Sequence, residues 1–426
     1  MNEATTSVHE TEALLLAVLR ALIVIISAAR LGGWLFGRLG QPQVVGEIAA
    51  GLLLGPSVLG RVVPEFAATV FTPEINEVTR ILGQLGLVFL MFLIGLEFEF
   101  GHLRHCGRAA AGVAVAGIIA PFALGVVLAL GMHPHVAPEI NRLGFSLFIA
   151  TALSITAIPI LGRIMVEFGM TRTPIGVLTI SAAAIDDALG WIVLAIVSAI
   201  VSGGFELMPG LIMLGLTLGY ILLCIFVARP LLIHWTNHAM RLGNGQLPLV
   251  HLSILLIIVF ASAMATNLIG IFAIFGPFVL GACLWDQHAF REAVTSRLRD
   301  FVNAFFLPIF FTYTGLHTDV GLLNTGSLWL LAALVCAVAI VGKIGGCGLA
   351  ARFVGLSWRH SSLVAVMMNT RALMGLIAIT VGREMGVIPD SVFSMLVIMA
   401  VLTTFMTVPI MRRLLRPEDH PAIGVG

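Results

Sequence analysis

Apolar runs separated by short clusters of Gly, Pro and charged residues fill this chain almost from end to end. Thirteen such runs can be drawn, over residues 13–37, 43–60, 79–99, 108–131, 142–166, 174–202, 208–228, 248–267, 270–285, 300–318, 327–351, 360–382 and 391–411. Most are long enough to cross a bilayer as helices at about 1.5 Å per residue, which predicts an all-α polytopic membrane protein with thirteen transmembrane helices. Two runs carry internal breakers. Span five contains Thr151-Ala152-Leu153-Ser154-Ile155-Thr156-Ala157-Ile158-Pro159, and span twelve contains Asn369-Thr370-Arg371-Ala372-Leu373-Met374-Gly375. Proline removes a backbone donor, and Ser, Thr and Asn can satisfy the groups that a break sets free, so both spans are expected to be discontinuous at membrane depth. Paired interruptions of this kind point to a transport site.

Composition and charge sharpen the picture. With 59% hydrophobic and 11% charged residues the chain is not a soluble globular domain. An odd number of spans puts the termini on opposite sides. With the N terminus outside, Arg38, Arg104, Arg108, Arg163, Arg172, Arg229, Arg241, Arg291, Arg297, Arg299, Arg352, Arg359, Arg412, Arg413 and Arg416 all fall on the cytoplasmic side, against Arg61, Arg80, Arg142 and Arg383 outside. Basic residues favour the cytoplasm, so this asymmetry supports the count and the orientation in the cell (inner) membrane. The first residues lack Lys and Arg and read as a tail before span one rather than as a cleaved signal. Cys106, Cys224, Cys283, Cys336 and Cys347 are scattered without metal-ligand spacing. No cofactor and no nucleic-acid partner is expected.

A weak repeat runs through the chain. Gly46-Glu47-Ile48-Ala49-Ala50-Gly51 is echoed by Gly276-Pro277-Phe278-Val279-Leu280-Gly281, and Ile94-Gly95-Leu96-Glu97-Phe98-Glu99 by Thr314-Gly315-Leu316-His317-Thr318-Asp319. Copies seven spans apart have opposite orientation, as inverted repeats require. The expected division is an outer tail (1–12), a first six-helix half (13–202), a linker helix with a cytoplasmic loop (203–247), a second half (248–411) and a short cytoplasmic tail (412–426).

The candidate chemistry lies in the few charges inside spans. Asp186 and Asp187 sit about 12 residues past Pro174, roughly 18 Å along a helix and hence near the midplane, where an ionisable residue is costly and marks a functional site. Lys343 is the only lysine in the chain. Lysine, unlike arginine, can give up its proton when buried, so a titrating role fits, as does a permanent ion pair. Glu47, Asp186 and Asp187 stand against Lys343 and Arg371, so two ion pairs leave one carboxylate over; Arg371 is expected to be structural, pairing with Glu47 and offsetting the carbonyl ends of the broken helices. Two adjacent carboxylates in a dry site release their protons in coupled steps, so proton and cation would compete for the same oxygens. Glu47 can instead be a structural acid beside Gly46. Ser154 and Thr156, with the carbonyls at the span-five break, are expected to add neutral oxygen ligands beside Asp187.

These motifs resemble the monovalent cation:proton antiporters of the second superfamily branch, which includes plant cation/proton exchangers and bacterial sodium or potassium/proton antiporters. The resemblance is carried by Gly40-Gln41-Pro42-Gln43-Val44-Val45-Gly46-Glu47 through Leu54-Gly55-Pro56-Ser57, Phe92-Leu93-Ile94-Gly95-Leu96-Glu97, Ser154 to Leu161, Ser181 to Asp187, Gly342-Lys343-Ile344 and Met368-Asn369-Thr370-Arg371. It implies thirteen helices in inverted six-helix repeats, crossed broken helices (spans five and twelve), a homodimer, and elevator-like alternating access. Asp187 matches the family's cation-binding aspartate, and Asp186 the neighbour that pairs with the lysine. Aspartate at both positions with a lysine resembles the electrogenic pattern; electroneutral potassium/proton efflux is the alternative within the family. Residues after span thirteen are too few for an attached gating domain, so none is expected. An intramembrane aspartyl protease needs its aspartates on separate facing helices, and deep basic residues argue against an open cation pore. A sodium-coupled solute symporter shares the broken helices and is the main rival.

Overall fold

The computed structural model describes residues 2–97, 107–156, 161–162, 164–165, 168, 170, 173–202, 207–243 and 245–416. Among them every regular element is a helix, with no strand. In order the α-helices are α1 (Asn2–Arg38), α2 (Gln43–Leu54), α3 (Leu59–Val62), α4 (Pro64–Val70), α5 (Pro73–Glu97), α6 (Arg108–Val136), α7 (Arg142–Ser154), α8 (Pro174–Ser202) and α9 (Leu207–Leu223). They continue as α10 (Arg229–Leu242), α11 (Leu249–Ile269), α12 (Phe275–Ala282), α13 (His288–Phe301), α14 (Leu307–Leu316), α15 (Gly326–Phe353), α16 (Trp358–Met368), α17 (Ala372–Glu384) and α18 (Asp390–Leu414). Short π-helical segments, Cys224–Ala228 and Val302–Phe306, join α9 to α10 and α13 to α14.

Among the described residues nine stretches are long and apolar enough to cross a membrane. The other expected spans, five, nine, ten and twelve, correspond to shorter pieces: α7, α12, α14 with its π segment, and α16 with α17. Two expected boundaries move furthest. The residues taken as an N-terminal tail are already helical from Asn2, since no Gly or Pro interrupts them, and residues 229–242, expected in a loop, prolong span seven as α10. The lower part of span five, with Pro159, the repeat residues Phe98 and Glu99, Cys106 and the tail beyond Arg416 lie outside the described residues.

The chain forms two compact units that do not coincide with the two sequence halves: one is the chain through Leu90 with Thr295–Gly321, the other Met91–Val294 with the chain from Leu322 on. In the first unit, glycine sets how close helices come. A side chain on Gly46 would run into the Gly32 carbonyl, so α1 and α2 touch backbone to backbone, and Gly51 on α2 lies likewise against Gly315 on α14. Such contacts hold helices by van der Waals packing where lipid gives no hydrophobic drive between them. In the second unit the same approach is made by Gly276 against the Ser262 carbonyl, and by Gly281 on α12 against the end of α5 at Gly95. There, too, α15 packs along α6, with Gly342 against Pro121 and Gly346 against the Ala116 carbonyl. That seam brings Lys343 to α6 and α8.

Candidate functional site

Two broken helices build the floor of the site. Asn141 caps α7 by accepting from the amides of Leu143 (2.9 Å) and Gly144 (3.2 Å), and α7 ends at Ser154, where Ile155 turns to extended backbone. Ser357 caps α16, which ends at Met368; Asn369, Thr370 and Arg371 are non-helical, and α17 starts at Ala372. The interruptions expected in spans five and twelve are therefore present where described. They are tied together, since Thr156 Oγ1 donates to the Met368 carbonyl at 2.9 Å. The Arg371 guanidinium donates to the carbonyls of Leu153 and Ala152 at the end of α7, and at 2.9 Å to Ala339 on α15. A buried cation is thus set on the negative end of a helix dipole, which fits the expectation that Arg371 offsets the carbonyl ends of the broken helices.

The expected pairing of Arg371 with Glu47 is corrected. Glu47 takes Arg30 of α1 at 3.2 Å, while Arg371, itself fully buried, is held by carbonyl oxygens. Arg30 also donates to the Asn303 carbonyl. The charge count from sequence sets no residue of span one against Glu47; Arg30 reaches it because Gly32 and Gly46 let the two helices meet.

Lys343 and Asp186, both 0% exposed, form the expected ion pair, Nζ to Oδ1 at 2.7 Å. The ammonium has three protons and spends them on three oxygens: Asp186, the Gly117 carbonyl of α6 at 2.9 Å, and the Ser154 carbonyl at the break. Gly117 stands close by necessity, because a Cβ there would meet Cys347 Sγ and lie 3.6 Å from Asp186 Oδ1 and 3.7 Å from Lys343 Nζ. The second oxygen of Asp186 accepts the Thr156 amide at 3.0 Å. Asp186 is satisfied on both sides.

Asp187 is not. It is 1% exposed, and neither carboxylate oxygen meets a hydrogen-bond donor among the described residues. Ser154 and Thr156 contribute differently from the expectation. Ser154 Oγ donates to the Thr151 carbonyl at 2.9 Å and Thr156 Oγ1 to Met368, so what the break turns towards the pair is main chain, the Ser154 carbonyl and the Thr156 amide. The sequence reading missed Gly117, Ala339 and Arg30. The first two act through carbonyls that any residue carries, whereas Arg30 was visible as a charge inside span one.

Comparison with known proteins follows the same line. Residues 24–416 match the transmembrane family described as sodium/hydrogen exchanger. The chain is 38% identical over 420 residues to the Na(+)/H(+) antiporter NhaS4 of Synechocystis sp., covering 95% of this chain and 99% of that protein. It is 37% identical over 407 residues to Cation/H(+) antiporter 17 of Arabidopsis thaliana, covering 95% of this chain but 49% of that one, so it spans about half the length of this plant relative. To K(+)/H(+) antiporter 1 of Saccharomyces cerevisiae it is 30% identical over 394 residues, 90% of this chain and 45% of that protein. The fold is similar to the sodium proton antiporter MjNhaP1 of Methanocaldococcus jannaschii, with a TM-score of 0.61 and 17% identity over 93% of this chain and 96% of that one.

Proposed function

This chain belongs to the sodium/hydrogen exchanger family, and we propose that it is a secondary antiporter exchanging Na+ or K+ for protons by alternating access. The observation that carries the reading is Asp187: a buried carboxylate with both oxygens unpartnered, next to a carboxylate whose needs are met by a lysine and an amide. A buried charge without a partner is expensive, so Asp187 must take up either a proton or a cation, and these exclude one another. Arrival of a cation between the aspartates displaces the Lys343 ammonium. Asp186 Oδ1 and the Ser154 carbonyl, now free, add to Asp187 the carboxylate and carbonyl oxygens that hard cations prefer. The displaced ammonium, buried without its counter-charge, gives up its proton, and with the proton from Asp187 two leave for one cation, so exchange is electrogenic.

The architecture belongs to this proposal: thirteen membrane passages in two inverted six-helix halves, 13–202 and 248–411, with the broken helices crossing. It is supported by the paired glycine contacts, where Gly46, Gly51 and Gly95 recur as Gly276, Gly281 and Gly315 and the approach of Gly51 to Gly315 is mirrored by that of Gly281 to Gly95. Arginine asymmetry supports an outside N terminus and a cytoplasmic C terminus in the cell membrane. The assembly proposed is a homodimer. No enzymatic step is needed.

Everted vesicles loaded with a pH dye test the function. Addition of Na+ or K+ without organic solute should move protons in the parent and not in Asp187→Asn inserted at equal level. A solute requirement would favour a symporter, and appreciable exchange in Asp187→Asn would place the site elsewhere.

A further inference from the structure

One helical turn beyond Asp187 on α8 stands Trp191, on the same helix face. Its ring is buried and packs against two rings of α12: it meets Phe275 edge-on, centroids 6.0 Å apart with 86° between planes, and lies tilted by 34° to Phe278 at 5.6 Å. Its indole N–H has no acceptor among the described residues. Two buried polar groups four residues apart, a donor without an acceptor and a carboxylate without a donor, are both exceptions to the rule that buried polar groups find partners. One helical turn apart on one face, the N–H and the Asp187 carboxyl are neighbours, and no hydrogen bond of ordinary geometry closes between them.

Resting on the antiport reading above, we propose that Trp191 is a positioning residue of the cation site: its clamped indole N–H closes onto one oxygen of ionised Asp187, fixing the carboxylate and leaving the other oxygen to the cation. A donor aimed at a carboxylate favours its charged form over its protonated form, so Trp191 biases the competition at Asp187 towards the cation. The bias counts where protons compete and vanishes where they do not. The other charged and titratable groups of this setting are Asp186 on the same helix, Lys343 and Cys347 on α15, and Arg371 at the break before α17. Of the further helices packed on α8, α6, α7 and α16 carry theirs at their ends (Arg108, His133, His135, Arg142, Arg359 and His360), and the one on α9, Tyr220, is bonded to Ser262.

Trp191→Phe keeps an aromatic ring against Phe275 and Phe278 and removes only the donor. Hydrogen bonds to charged groups contribute about 1.5 kcal/mol or more, a tenfold change in an equilibrium. In everted vesicles the half-saturating concentration of Na+ or K+, whichever the parent carries, should therefore rise about tenfold at the acidic end of the working range. It should converge on the parent value at the alkaline end, with the maximal rate changed much less. Purified parent protein should also show a cation-dependent change in indole fluorescence that is lost in Trp191→Phe and in Asp187→Asn. Should Trp191→Phe fail to insert, Phe278→Leu, which keeps the N–H but loosens the ring, should raise the half-saturating concentration in the same pH-dependent way by a smaller factor. A half-saturating concentration equal to the parent's at every pH, or a shift that ignores pH, overturns the proposal. Exchange surviving in Asp187→Asn would instead overturn the antiport site itself, so the two failures are told apart.

Discussion

Lys343 has no proton to spare: Asp186, Gly117 and Ser154 take all three, and in the proposed exchange the oxygens of Ser154 and Asp186 also receive the transported ion. The neighbouring hydroxyls have another task. Thr156→Val leaves the Met368 carbonyl without its donor and should cost about 1–3 kcal/mol of stability, read as a lower melting temperature, while the Thr156 amide still holds Asp186. Ser154→Ala, which removes only a bond within its own helix, should leave both melting temperature and cation affinity nearly unchanged. A marked loss of affinity in Ser154→Ala would show that its hydroxyl, not its carbonyl, faces the ion. At this scale the sequence was informative where a residue is chemically unusual for its place. Adjacent aspartates and a single lysine in apolar surroundings announce themselves, and the choice of Asp186 as the lysine's partner came from the family resemblance. Partners that act through the main chain, Gly117 and Ala339, carry no such mark. Arg30 did, but its reach to Glu47 depends on glycines whose contact cannot be read from either helix alone.

The broken helices make the site possible because they bring carbonyls, an amide and a guanidinium to where continuous helices would present only side chains. Arg371 is what lets α7 stop in the interior, since its guanidinium takes up carbonyls that a helix end leaves unpaired. Arg371→Ala should therefore lower stability by about 3 kcal/mol or more, seen as a fall in melting temperature, before selectivity among cations changes. A normal melting temperature with transport abolished would give Arg371 a part in moving ions. Both interruptions were legible, from Pro, Ser, Thr and Asn inside apolar runs. Helix ends at the surface were not. Hydropathy ends span seven at 228, where Arg229 and Pro230 follow, whereas the backbone passes through a π-helical segment, takes Pro230 in the first turn of α10 and continues to Leu242.

For the whole molecule the decisive quantity is the charge carried per cycle. Lys343→Arg keeps the pair with Asp186 but cannot release a proton, so exchange should persist and become insensitive to an imposed membrane potential, while the parent responds to it. A parent indifferent to potential would leave Lys343 with stability alone. The repeat proposed to frame this chemistry rests in the sequence on two short glycine motifs. What each glycine touches needed coordinates, because chance produces such motifs in any apolar chain. One consequence follows from the three oxygens around the Lys343 ammonium. They replace the water shell of a small monovalent ion, so the protein carries a resident cation on a tether when no travelling one is aboard. Loading is then a substitution at constant occupancy rather than the filling of a void. Under the proposed exchange a carrier of that kind has no empty form to return across the membrane, so it completes its cycle only when one ion is traded for another.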